Sequence, residues 1–82
     1  MSWIEKDDGL ERNFQFKDFA EAWAFMCRIA AIADAMNHHP EWRNVYNEVS
    51  IRLTTHDKGG VTELDHKLAA KIDKILANDK DG

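Results

Sequence analysis

Glu41-Trp-Arg-Asn-Val-Tyr-Asn-Glu-Val-Ser-Ile-Arg-Leu-Thr-Thr55 alternates in its second half and breaks step in its first, and that break decides the fold. Val49, Ile51 and Leu53 alternate with Ser50, Arg52 and Thr54, the pattern of a strand with one face in a core. Upstream the phase slips: Trp42 and Tyr46 fall on even numbers, and Asn47 stands where an apolar residue belongs. A one-residue slip turns every side chain to the opposite face, so one strand cannot carry both halves. A turn or bulge within Asn44 to Glu48 therefore splits the segment into two strands.

Upstream lies a helix. Asp18 followed by Glu21 has the spacing of a capping box, in which side chains satisfy the free amides of a first turn. Phe19, Trp23, Met26, Ala30 and Ala33 recur at three- and four-residue steps, and Phe25, Ile29, Ile32 and Met36 form an adjoining stripe. The combined face is broader than one sheet contact requires. Two readings stay open: a deeply buried core helix, or one that also packs against a second copy of the chain. A chain this short buries only about 60–70% of its unfolded surface, which favours the second. Cys27 falls inside the repeat and reads as a small buried hydrophobe.

Further out, Trp3 and Ile4 precede Asp7-Asp8-Gly9 and the run Leu10 to Phe16. Asp-Gly between short runs signals a hairpin turn, with glycine supplying the positive φ. Leu10, Arg12, Phe14 and Phe16 do not alternate cleanly with polar neighbours, which leaves the strand boundaries loose. Downstream, Gly59-Gly60 reads as a turn. Thr62, with Asp65 after it, opens a second helix to about Asn78; Leu68, Ile72, Ile75 and Leu76 form its apolar stripe. Lys71 and Lys74 lie toward its C-terminal end, where positive charge suits the dipole. The tail, Asp79 to Gly82, is expected to fray. The expected fold is α+β, a single domain over residues 1–82 in the order β-β-α-β-β-α. It would be a four-stranded antiparallel sheet with two helices packed on one face. Pairing of sheet edges between copies would protect them.

Composition narrows the function. With 44% hydrophobic and 32% charged residues, the 82-residue chain is globular rather than disordered or fibrous. Eleven basic against fifteen acidic side chains leave a net charge of −4, which argues against a nucleic-acid or anionic-membrane binder. The most apolar stretch, Ala20 to Met36, is interrupted by Glu21, Arg28 and Asp34 and does not read as a membrane span. The N-terminus carries no apolar signal-peptide region. Cys27 is the only cysteine, so no internal disulfide forms and a reducing, cytoplasmic setting is expected.

Of four histidines, His38 and His39 follow the long helix and His56 follows the main strand, while His66 lies on the second helix. Imidazole both gives and takes protons near neutrality, and catalytic groups favour loops on a rigid scaffold. A lone histidine is more often structural; three at element ends, placed so that they could converge on one side of the sheet, make catalysis an even alternative. A metal site is the rival, yet HExxH, CxxC and paired-cysteine spacings are missing. Asp65 reads either as a first-turn carboxylate of the second helix or as an acceptor that orients a histidine, and spacing alone favours the former. Trp42 and Tyr46 read as core residues or as walls of a pocket for a flat ring.

The stretch Asp34-Ala-Met-Asn-His38-His39-Pro40-Glu41-Trp42-Arg-Asn44-Val45-Tyr46-Asn47-Glu-Val49, with Thr55-His56-Asp57-Lys-Gly59-Gly60-Val61-Thr62 and Asp65, resembles the pterin-4a-carbinolamine dehydratase family. The family pattern is a polar residue, three residues, His-His-Pro, then an aromatic, a histidine and an aspartate. Asp34, His38-His39-Pro40, Tyr46, His56 and Asp65 take those places, and many members carry Glu at the position of Asp34. The likeness covers nearly the whole chain.

The resemblance implies an enzyme that dehydrates 4a-hydroxytetrahydropterin to quinonoid dihydropterin. That restores the pterin oxidised by aromatic amino acid hydroxylases. It also implies an antiparallel four-stranded sheet and assembly as a homodimer or homotetramer. The elimination moves protons and transfers no electrons, so the pterin is substrate and the reaction requires neither metal nor nicotinamide. On this basis His38 and His56 are the expected proton-transferring pair, and His39 holds the pterin or shares the proton work. Asp65 would orient His56, while Pro40 and Trp42 shape the pocket with Asp34 nearby. Two other readings remain: a protein-interaction module acting through the broad helix face, and a pterin binder without catalysis.

Overall fold

The computed structural model describes residues 3–81. Strands β1 (Ile4–Lys6) and β2 (Gly9–Gln15) form a hairpin, followed by helix α1 (Phe19–Met36). A second hairpin, β3 (Glu41–Val45) and β4 (Glu48–Leu53), leads through a 3-10 turn (His56–Lys58) into helix α2 (Glu63–Asp81). All pairings are antiparallel in the order β1-β2-β4-β3, so the expected α+β fold is the observed one. Helix α2 runs beyond the expected end at Asn78 as far as Asp81, and Gly82 lies outside the described residues.

The break before Val49 is a two-residue turn. Tyr46 takes φ 51°, and Asn44 Nδ2 donates to the carbonyls of Tyr46 and Glu48 at 3.1 and 2.8 Å. Asn47, the polar misfit, donates to Phe16 O at 2.8 Å, and Phe16 N–H returns a bond to Asn47 O at 2.8 Å. The turn thereby ties itself to the end of β2.

The first hairpin turns differently from expectation. Asp7 and Asp8 carry the positive φ, at 49° and 65°, and Gly9 is already the first residue of β2. Aspartate tolerates the left-handed region because its short polar side chain bonds locally. Glycine leaves room there for a side chain that crosses the turn. A Cβ on Gly9 would sit 2.5 Å from the Arg52 guanidinium, which lies across the turn and donates to the carbonyls of Lys6 and Asp7.

The core lies between the sheet and the two helices. Leu10 and Phe14 from β2 and Val49, Ile51 and Leu53 from β4 meet Phe25 and Ile29 of α1 and Leu68 and Ile72 of α2. Phe25 packs 5.0 Å from the Phe14 ring and 4.9 Å from that of Phe16. Arg12 spoils the alternation of β2 because it points inward too, bonding Asp73 of α2 at 2.7 Å over the Phe14 ring. Trp3 Nε1 reaches the same carboxylate at 2.9 Å.

Helix α1 corrects the reading of Cys27 and leaves part of its first apolar stripe outside the core. Of its first stripe, Met26 and Ala33 are buried, whereas Phe19 and Trp23 are 46% and 54% exposed and stack on each other outside. Cys27 is exposed as well. Periodicity identified two apolar stripes without saying which one meets the sheet, and the sheet takes the stripe built around Phe25 and Ile29.

Candidate active site

Two helix boundaries build the site. Helix α1 ends on Asn37 in the left-handed conformation (φ 52°, ψ 40°), with Asn37 N–H on Asp34 O and His38 N–H on Ala33 O, both at 3.1 Å. This double closure is a Schellman motif, which asparagine tolerates better than most residues. It turns the chain so that His38 enters the interior. Helix α2 begins on Thr62, whose carbonyl accepts from Asp65 N–H at 3.0 Å. Asp65 Oδ2 in turn accepts from Thr62 N–H at 2.8 Å, the reciprocal bond of a capping box.

The two boundaries meet in a buried hydrogen bond. Asp65, wholly buried, lies 2.6 Å through Oδ1 from His38 Nε2. Burial opposes its charge; the Thr62 amide, the His38 ring and the Thr55 hydroxyl outweigh that and hold the carboxyl below its ordinary range. An ionised Asp65 accepts only, so His38 Nε2 carries a proton, and in the neutral form of the ring the lone pair falls on Nδ1. Both readings of Asp65 are realised in one side chain. The expected pairing is corrected, however: the Asp65 carboxylate bonds His38 and not His56.

His39 and His56 are the exposed partners. His39 Nε2 lies 3.5 Å from Asp34 Oδ1, and His56 Nε2 lies 3.7 Å from Glu41 Oε2. His56 opens the 3-10 turn inside a loop pinned by Thr55 N–H to Gly60 O at 2.9 Å, with Gly59 at φ 69°. Exposed contacts of this kind contribute little stability.

A hollow of 250 Å³ collects His38, His39 and His56, together with Asn37, Thr54, Thr55 and Asp57. A neighbouring hollow of 510 Å³ is lined by Asp34, His39, Pro40 and Trp42 against Ala30, Ala31 and Ala33. His39 lines both, and the larger volume falls in the usual range for small-molecule sites, roughly 300–1,000 Å³. Tyr46 is not brought here: it is 63% exposed in the β3–β4 turn, at the far end of β3 from Pro40. His66 stays on the exposed face of α2. Sequence inspection missed Glu41 and Thr55. Each stands beside a motif histidine or its acceptor, but neither has a spacing of its own that marks it.

Fold and site together define a class: a small α+β domain with imidazoles and carboxylates gathered at the ends of its helices and strands. The family model for pterin 4 alpha carbinolamine dehydratase matches residues 1–75, and the chain belongs to that family. A relative from Synechococcus sp. (strain WH7803) is 59% identical over 73 residues, covering 89% of this chain and 78% of its own. One from Sinorhizobium fredii is 52% identical over 77 residues, covering 92% and 73%. Both carry the provisional name pterin-4-alpha-carbinolamine dehydratase. The crystal structure of a transcriptional coactivator/pterin dehydratase from Brucella melitensis superposes with TM-score 0.87 at 46% identity, over 90% of this chain and 81% of that one. A pterin dehydratase-like protein described as a RuBisCO assembly factor of the alpha-carboxysome superposes with TM-score 0.78 at 27% identity, over 92% and 89%.

Proposed function

We propose that this protein dehydrates 4a-hydroxytetrahydropterin, the 4a-carbinolamine, to quinonoid dihydropterin and water. The observation that carries the reading is the single hollow lined by His38, His39 and His56, with a buried carboxylate behind one of them. The substrate bears a hydroxyl on C4a beside N5–H. Elimination takes the proton from N5, forms the N5–C4a double bond and releases the hydroxyl, protonated, as water. Neither oxidant nor reductant enters that balance.

His38 is the base of the proposed mechanism: its Nδ1 takes the N5 proton, and Asp65 stabilises the imidazolium that results. His56 delivers a proton to the departing oxygen, with Glu41 beside it. His39 holds the ring at the junction of the two hollows, while Pro40, Trp42 and Asp34 flank the pterin. General acid–base catalysis contributes about 10²–10⁴ in rate, which suits a reaction that already runs in water. Stopped-flow dehydration of enzymatically generated carbinolamine tests the assignment. His38→Ala should lower kcat by about 10²-fold or more with the fold retained. Unaltered turnover would remove His38 from the mechanism. The cellular role that follows is recycling of the pterin used by aromatic amino acid hydroxylases, in the cytoplasm.

Assembly as a homodimer or homotetramer belongs to the same proposal. The stacked Phe19–Trp23 pair and exposed Cys27 give α1 an apolar outer face, and large exposed apolar patches mark interaction sites. That face also supports a second reading, an interaction module, in keeping with the coactivator and assembly-factor descriptions of the two similar structures. A stable protein partner together with absent dehydratase turnover would favour it; pterin binding without turnover would mark a non-catalytic binder.

A further inference from the structure

Proton counting gives direction to the hydroxyls behind His38. Asp65, held ionised, offers only lone pairs, so Thr55 Oγ1, 2.7 Å from Oδ2, gives its single proton to the carboxylate. The 2.8 Å bond between the hydroxyls of Thr55 and Thr62 is then donated by Thr62. Thr62 Oγ1 itself receives Leu64 N–H from the first turn of α2, at 3.3 Å. The row runs one way, from helix amide through two hydroxyls to the carboxylate, and His38 Nε2 donates from the opposite side at 2.6 Å. Each donation polarises the next, most strongly where water is excluded.

We propose that Thr55 is a positioning residue: its hydroxyl aims the Asp65 carboxylate so that His38 keeps its proton on Nε2 and presents an unprotonated Nδ1. The catalytic consequence rests on the dehydratase reading above; the geometry does not. Thr55 holds a second post, because its backbone pairs with Gly60 and closes the loop that carries His56. One residue therefore joins the acceptor behind the first histidine to the root of the turn bearing the third. The titratable groups around this pair are His39, His56 and Asp57 on the hollow, with Asp34 against His39 and Glu41 against His56. The hydrogen-bond partners of the Asp65 carboxylate are His38, Thr55 and the Thr62 amide.

Thr55→Val removes the hydroxyl and keeps the β-branched shape, whereas Thr55→Ser keeps the hydroxyl. Carbon-13 titration of the Asp65 carboxyl should move up in the valine variant, having lost one donor to its charged form. The nitrogen-15 signals of the His38 ring should shift from one tautomer toward a mixture. At saturating carbinolamine kcat should fall about tenfold with KM unchanged, and serine should restore all three readouts. An Asp65 titration and His38 signature unmoved by valine overturn the proposal, as does equal loss in valine and serine, which marks a packing role. If the unsubstituted protein shows no turnover while both spectroscopic readouts respond as expected, the dehydratase reading fails and the positioning role stands. Should the valine variant not fold, the unsubstituted protein decides. The Thr55 hydroxyl proton should exchange slowly with water at neutral pH, and fast exchange there overturns the proposal.

Discussion

Tyr46 holds a bulky ring on a backbone at φ 51°, where a left-handed conformation costs an L-residue about 1–2 kcal/mol. Its ring is 63% exposed and recovers little of that through packing. Asparagine accepts the same conformation more readily, so Tyr46→Asn should raise stability by about 0.5–1 kcal/mol, measured by chemical denaturation of the isolated protein. A decrease would mean that the ring is in contact with something, a second copy included. Asp65 shows the converse economy. It completes a helix cap through Oδ2 and orients His38 through Oδ1, and the spacing Thr62 to Asp65 revealed only the first of these. The second partner lies 27 residues away in sequence, beyond any local pattern.

Among the elements, the end of α1 matters most to the site, because the residue after the last closure is His38 itself. Asn37→Gly should leave stability within about 0.5 kcal/mol, since glycine occupies this conformation freely. Asn37→Ala should cost about 1 kcal/mol, which lowers Tm by roughly 4–8 °C in a domain of this size. Thermal unfolding compares the two, and dehydratase turnover should follow the same order as His38 loses its fixed approach. Equal melting of the alanine and glycine variants would deny the cap its role. The elements themselves were largely legible. Alternation marked β4, the Asp18–Glu21 spacing marked the start of α1, where Asp18 Oδ1 accepts Glu21 N–H at 2.9 Å, and the phase slip marked the turn at Tyr46. Less legible was the orientation of α1, since both of its stripes are apolar and only the finished sheet chooses between them.

Across the whole molecule, long-range polar contacts hold the ends of elements together. Arg12 and Asp73 are 61 residues apart and Trp3 and Asp73 are 70 apart, which is why Arg12 looked like a flaw in β2 rather than an anchor for α2. The His38–Asp65 contact joins α1 to α2 in the same manner and makes stability depend on pH. The folded protein holds the Asp65 carboxyl below the ordinary value of 3.8 that an unfolded chain keeps. Its ionisation therefore contributes stability that is complete above that value and is lost as pH falls through the lower folded one. Asp65→Asn should be less stable than the unsubstituted protein near pH 7, by about 2–3 kcal/mol. Denaturation series at several pH values should show the difference narrowing below about pH 4. A difference constant with pH would mean that the carboxylate charge adds nothing to the fold.

The outward position of Cys27 also gives the chain a singular chemical handle. A thiol-directed dye has one address on this protein, at the middle of α1 and well away from the histidines in sequence. Its rate of attachment reports directly whether that side of the helix meets solvent or is shielded by a neighbour.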